Sequence, residues 1–254
     1  NPEDDDALSS VSQAVTRNSA DLGIIFDTDC DRAAVINRDG TPFARNALVA
    51  LMSAIVLEEH PGTTIVTCSS TSNHIRSFIE ARGGKQRRFK RCYRFVIDEA
   101  LRLNAAGTDS QMAIEVSGHC ALKENHFLDD GAYLVAKVLI KMARLHQEGK
   151  RLDSLIVDLK EPLEALSFPF HFTVENPREY GDMLLRDLFQ FAKEQGIALN
   201  EEHVDGFRGE FPPGDGDGWA SSRPSMYNPL MGFQVESEEL GGAKHIAKKF
   251  IPFF

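Results

Sequence analysis

The 254-residue chain has no CxxC pair; its four cysteines, Cys30, Cys68, Cys92 and Cys120, stand far apart. That spacing excludes a zinc ribbon or a disulfide scaffold and predicts reduced thiols in an intracellular protein, cytoplasmic or plastid. No apolar run approaches the length that crosses a bilayer, so no membrane partner is expected. A secretory leader pattern is also missing. There is no basic excess: the net charge is −10, and a general nucleic-acid binder would be basic. Hydrophobic content of 42% and charged content of 26% are those of a globular protein with room for one large or two smaller cores.

What is present is organised around DTDCDR, residues 27–32, directly behind the apolar run 22–26. Asp27, Asp29 and Asp31 recur at every second position. On a straight strand such carboxylates would lie about 6.6 Å apart. Two oxygens on one Mg²⁺ are at most about 4.2 Å apart. The chain must therefore curl for all three to reach one ion, and the end of a buried strand is where it can. Without a cation the three like charges would raise one another's pKa. The three aspartates are read as metal ligands, with Arg32 free to face an anion; the alternative is a set of solvated loop acids. An EF-hand is excluded, because its sixth and twelfth positions require Gly and Glu and here hold Arg32 and Arg38.

Periodicity predicts a helix in the first 20 residues, strands at 22–26 and 33–36, a buried helix at 46–59, a strand at 64–67 and a helix at 72–82. This alternation argues an α/β layer sheet. The stretch QRRFKRCYR, 86–94, gathers Arg87, Arg88, Lys90, Arg91 and Arg94. It reads either as an edge strand guarded by charge or as one wall of an anion cleft with Lys90 the contact. No aromatic stacking series accompanies it, so nucleic acid is disfavoured. A helix at 96–104 and a strand at 113–116 follow. Glu115, at the end of an apolar strand, needs a partner, and two neighbouring sugar hydroxyls beside Ser117 would suit its two oxygens. A structural salt bridge is the alternative. His119 is equally a hydrogen-bonded turn histidine or an active one. Asp130 is the expected N-cap of a helix at 132–145. The pattern weakens from 155 to 172. Beyond it come a helix at 180–194, a strand or hairpin at 203–211, the loop PPGDGDGWASSRPSMYNP, a strand at 230–236 and a helix at 238–250. Arg223 and Ser225, with Asn228 after them, offer phosphate a planar fork, a hydroxyl and backbone N–H groups; a plain surface turn is the alternative.

In order and spacing, DTDCDR, EVSGH and RPSMYNP resemble the metal, sugar and phosphate loops of the α-D-phosphohexomutase family, the phosphoglucomutases and phosphomannomutases. The resemblance implies Mg²⁺ on Asp27, Asp29 and Asp31, and Arg32, Lys90 and His119 at the catalytic centre. It also implies Glu115 and Ser117 on the sugar, and Arg223, Ser225 and Asn228 on the phosphate not being transferred. It implies interconversion of hexose 1-phosphate and hexose 6-phosphate through a hexose 1,6-bisphosphate. The implied fold is mixed-sheet α/β: the end of a second domain at 1–41, a third domain at 42–165 and a smaller α+β domain at 166–254. The family departs from this chain in having glycine where Thr28, Cys30, Cys92 and Ile114 stand. Thr28 and Cys30 are expected to keep φ negative. No motif like TASHNP, which carries the phosphorylated serine, occurs here, and the chain opens on Asn1 rather than Met. The chain is thus expected to be a fragment whose partner is the missing N-terminal domain, inactive alone. Two rivals remain: a haloacid-dehalogenase-type phosphatase with Asp27 as nucleophile, and a silent sugar-phosphate-binding scaffold.

Overall fold

The computed structural model describes residues 1–200, 204–225 and 228–254, which form two compact units, Asn1–Lys160 and Glu161–Phe254. The first opens with α1 (Asp5–Asn18), whose first turn is capped by the Asp4 carboxylate accepting from the Ala7 N–H at 2.8 Å. Next come β1 (Leu22–Phe26), β2 (Ala33–Asn37) and β3 (Pro42–Phe43), one antiparallel sheet in the order β1-β2-β3. Leu8 and Val15 of α1 pack on Ile25, Ala34 and Ile36. Because Phe26 pairs with Ala33, residues 27–32 are the connection of a β-hairpin. The curl that three aspartates require is thus supplied by a chain reversal.

Then α2 (Asn46–Glu59) runs apolar all round, buried from Leu48 to Leu57, which is why its sequence shows no polar face. It is followed by β4 (Thr64–Cys68), α3 (Asn73–Ala81), β5 (Lys85–Phe89), α4 (Tyr93–Ala105), β6 (Met112–Ile114), β7 (Cys120–Leu122) and α5 (Gly131–Gln147). The sheet order is β5-β4-β6-β7, with β4 parallel to β5 and β6, and β7 antiparallel. Lys90 directly follows β5, and Glu115 directly follows β6. Both lie at the carboxyl ends of parallel strands, where open α/β sheets bind ligands. Asp130 caps α5 as expected, accepting from the Tyr133 N–H at 2.9 Å.

The second unit contains β8 (Glu164–His171), α6 (Pro177–Glu194), β9 (Ala198–Leu199), β10 (Phe207–Phe211), β11 (Gly218–Pro224), β12 (Leu230–Ser237) and α7 (Gly242–Lys249). Its antiparallel sheet has the order β8-β12-β11-β10-β9. Phe250, fully buried, sits against Phe191, Phe207, Phe211 and Phe233 at the centre of an aromatic core. Two expectations change here. The weak stretch after residue 160 contains an eight-residue strand, β8; it lies at the sheet edge, where Pro169 removes no needed donor. The middle of the Gly/Pro-rich loop is β11, paired on both sides. His203, the expected start of a strand, and Met226 and Tyr227 of RPSMYNP lie outside the described residues.

Candidate active site

The hairpin tip brings one oxygen each of Asp27, Asp29 and Asp31 within 4.8 Å of one another. That is close to the separation of oxygens opposed across one Mg²⁺, about 4.2 Å, so modest side-chain rotation would complete a shared focus. One oxygen of Asp31, Oδ1, is buried without a hydrogen-bond partner among the described residues. The donor set, three hard oxygens with one unsatisfied, fits a hard divalent cation.

Arg32 does not stand free. Its Nε donates to Asp27 Oδ2 at 2.6 Å and its backbone N–H to Asp27 Oδ1 at 3.1 Å. The Asp27 side chain is only 6% exposed, and a carboxylate so buried must be paired. Burial alone would push the Asp27 carboxyl up, but the hydrogen bonds and charge of Arg32 outweigh it and hold the group low. Asp31 moves the other way: burial raises it, His119 opposes, and Asp27 and Asp129 add to the rise. The contact between the two carboxylates thus lowers Asp27 and raises Asp31.

Thr28 keeps a negative φ, but Cys30 adopts φ 61°, against expectation. The tip needs one left-handed residue to turn, and the Cys30 carbonyl then accepts from the Gly131 N–H at 3.0 Å. A Cβ on Gly131 would lie 2.8–2.9 Å from the Arg32 and Cys30 backbone, so the loop rests directly on the first turn of α5.

The second loop, 115–119, is joined to the first by backbone. The Ala33 N–H donates to the Gly118 carbonyl at 3.2 Å, and Arg32 and His119 form an isolated antiparallel bridge. Glu115 is 4% exposed. It accepts from the Cys92 N–H at 2.8 Å and, at 3.4 Å, from the Ser117 hydroxyl. Cys92 has φ 140° and ψ 132°, a conformation held almost only by glycine. It aims that N–H at the carboxylate at the expense of backbone strain. Cys92→Gly is expected to raise the melting temperature of the first unit, a gain of about 1 kcal/mol; an unchanged or lower value would show the strain is not there.

The basic stretch divides by role. Arg88 is buried and donates to the Thr71 hydroxyl, the Ser72 carbonyl and Asn73 at 3.1–3.3 Å. Arg87 pairs with Glu99 at 2.8 Å, as does Arg102 at 2.7 Å. Lys90 is exposed. The Arg102 hydrogen bond holds the Glu99 carboxyl low, against burial and with help from Arg87. Its folded pKa being depressed, its contribution is whole above the unfolded value, about 4.3, and is lost as pH falls through the folded one. Glu99→Gln is expected to lower the neutral-pH melting temperature and flatten its acid-side fall.

Reading the sequence alone missed Asp129 and Tyr93. His119 Nδ1 lies 2.7 Å from Asp129 Oδ2 and 3.6 Å from Asp31 Oδ2. Its ring stacks on Tyr93 at 4.9 Å. Burial would lower the His119 pKa, but the Asp129 hydrogen bond and the charges of Asp129, Asp31 and Glu115 raise it. The doubled acid Asp129-Asp130 was a usable signal: one carboxylate caps the helix, so the other is left for a different partner. In the second unit, Arg223 Nε lies 3.7 Å from Asp205 Oδ2, the Ser225 N–H donates to the Leu230 carbonyl at 2.8 Å, and the Asn228 N–H donates to Ser225 Oγ at 3.2 Å.

Family models for phosphoglucomutase/phosphomannomutase α/β/α domains II and III match residues 1–40 and 44–162. The chain belongs to the phosphoglucomutase/phosphomannomutase family. A phosphoglucomutase of Neisseria gonorrhoeae is 26% identical over 250 residues, 98% of this chain and 51% of its own length. A phosphomannomutase/phosphoglucomutase of Pseudomonas putida is 26% identical over 225 residues, 88% of this chain and 45% of its own. The crystal structure of a family protein from Burkholderia thailandensis shares the fold, with TM-score 0.79 and 24% identity over 99% of this chain and 50% of that one. The chain spans about half the length of the curated family relatives it matches. Among the described residues no helix is long and apolar enough to cross a membrane.

Proposed function

We propose that the chain supplies the metal, sugar and phosphate loops of a Mg²⁺-dependent phosphohexomutase that interconverts hexose 1-phosphate and hexose 6-phosphate. The observation that carries this reading is the convergence of Asp27, Asp29 and Asp31 on a hairpin tip bonded through its backbone to the Glu115–His119 loop. Mg²⁺ bound there would draw charge from phosphoryl oxygens. Glu115 offers its lone pairs to adjacent sugar hydroxyls, its plane set by the Cys92 N–H. Lys90 and Arg32 supply positive charge where negative charge grows, and His119 accepts or gives the hydroxyl proton. Arg223, Ser225 and Asn228 hold the second phosphate of the sugar, so the hexose 1,6-bisphosphate can bind with either end presented. The proposed domains, 1–41, 42–165 and 166–254, follow this division of labour, with the last limit moved to 160/161, where the two compact units divide and β8 stays whole.

The phosphatase reading is weaker. Its nucleophile would be Asp27, and it gives no part to the Glu115–His119 loop that is bonded through backbone to the aspartate hairpin. A silent scaffold would bind sugar phosphate without turnover even in the full-length protein.

The deciding experiment adds glucose 1-phosphate, trace glucose 1,6-bisphosphate and Mg²⁺ to the full-length protein, with a coupled assay for glucose 6-phosphate. Formation of the 6-phosphate and an acid-stable phosphoserine is expected. Release of inorganic phosphate through a labile aspartyl phosphate would support the rival. The 254 residues alone, which contain no phosphoserine motif, are expected to bind without turning over. In that binding, Arg223→Ala is expected to weaken glucose 6-phosphate by roughly 1.5–3 kcal/mol, the scale of a charged hydrogen bond. Unaltered affinity in calorimetry would remove Arg223 from the site.

A further inference from the structure

The pair His119 and Asp129 is built more tightly than a turn histidine requires. The His119 backbone is fixed by its bridge to Arg32 and by its carbonyl, which accepts from the Glu115 N–H at 2.9 Å. One face of its ring is covered by Tyr93. Asp129 is fixed in turn: its backbone bridges Ala121, and the next residue, Asp130, donates its N–H to the Cys120 carbonyl at 3.1 Å and caps α5. Both side chains are mostly withdrawn from solvent, 15% and 13% exposed. Of the two Asp129 oxygens, Oδ2 meets His119 Nδ1 at 2.7 Å, and Oδ1 is buried with no partner among the described residues. A carboxylate buried half-satisfied is a poor stabilising device. Its one engaged oxygen is committed to the imidazole.

We propose that Asp129 is a positioning residue: it accepts the His119 Nδ1 proton, fixes the imidazole in that tautomer, and leaves Nε2 as the nitrogen that exchanges a proton with substrate. The proposal rests on the reading of His119 as an active-site group. The physical logic is general. A base with two nonequivalent nitrogens is useful only if the correct one carries the lone pair, and a buried acceptor on the far nitrogen decides which. Asp31, at 3.6 Å from the same nitrogen, adds its charge but lies beyond hydrogen-bond reach, so Asp129 at 2.7 Å is the acceptor.

The test uses the 254-residue chain labelled with ¹⁵N-histidine and no sugar phosphate. Long-range ¹H–¹⁵N correlation spectra are recorded at a pH where the imidazole is neutral. His119 is identified among the eight histidines by its loss in His119→Gln. The wild type is expected to show a protonated Nδ1 and a bare Nε2. Asp129→Ala is expected to move the proton to Nε2, and Asp129→Glu to return it to Nδ1. Circular dichroism and Mg²⁺ calorimetry confirm that each variant is folded. A wild-type ring protonated on Nε2 overturns the proposal with no variant needed, and so does an unchanged tautomer in folded Asp129→Ala. Because no substrate is present, failure here leaves the mutase reading to the glucose phosphate assay, and failure of that assay leaves the tautomer result standing.

Discussion

Asp29→Ala is expected to abolish Mg²⁺ binding by the chain at concentrations that saturate the wild type, read by titration calorimetry. The choice of position follows from the structure. Asp27 is held by Arg32, and Asp31 lies against His119, so removing either also disturbs a protein contact. Asp29 is exposed at the tip and brings its oxygen within 4.8 Å of the other two. Its loss subtracts a ligand and leaves the hairpin intact. Mg²⁺ demands near-octahedral oxygen coordination and gives up its waters reluctantly, so two carboxylates are a much poorer exchange than three. Asp29→Asn, which keeps one neutral oxygen, is expected to fall between. Full retention of the binding heat in Asp29→Ala would remove the hairpin tip as the metal site, and with it the main support for the proposed function.

Gly118→Ala carries the second large effect. Gly118 has φ 99°, outside the range an L-residue enters without strain. A methyl there would also meet the Ala33 carbonyl oxygen at 2.5 Å, and that atom belongs to a strand that cannot yield. Strain alone amounts to about 1–2 kcal/mol, and the clash adds to it by separating the two loops, for a total of about 2–4 kcal/mol. Urea unfolding followed by far-UV circular dichroism should therefore show a lower midpoint than the wild type. Mg²⁺ affinity is expected to drop as well, since β2 anchors one end of the metal loop. An unshifted dichroism transition would mean that the two loops are not joined as tightly as their backbone contacts indicate.

The two strands flanking the three aspartates, the all-apolar α2 and the Asp130 cap were legible because each depends on residues adjacent in the chain. The strands β8 and β11 were not. Their prolines and glycines read as breaks, and only pairing with β12 shows that Pro169 occupies an edge and Pro224 a strand end. The free Arg32 was misjudged for a related reason. Six residues of sequence cannot show that Asp27 is buried, and burial is what compels the pairing. Cys30 differs again: a glycine-free tip suggests negative φ throughout, yet closing the hairpin onto Gly131 requires one left-handed residue.

By itself the sequence determined the chemistry available: three carboxylates in register, a strand-end glutamate, an arginine before proline, and a family resemblance in the order of three loops. These are properties of short segments, set by side-chain identity and local periodicity. The tertiary structure alone decided which groups are paired. It joined 27–32 to 115–119 through backbone, gave Asp27 to Arg32 and brought Asp129 to His119. Such choices depend on burial, which turns an unpaired charge from a negligible matter in water into one the fold must resolve.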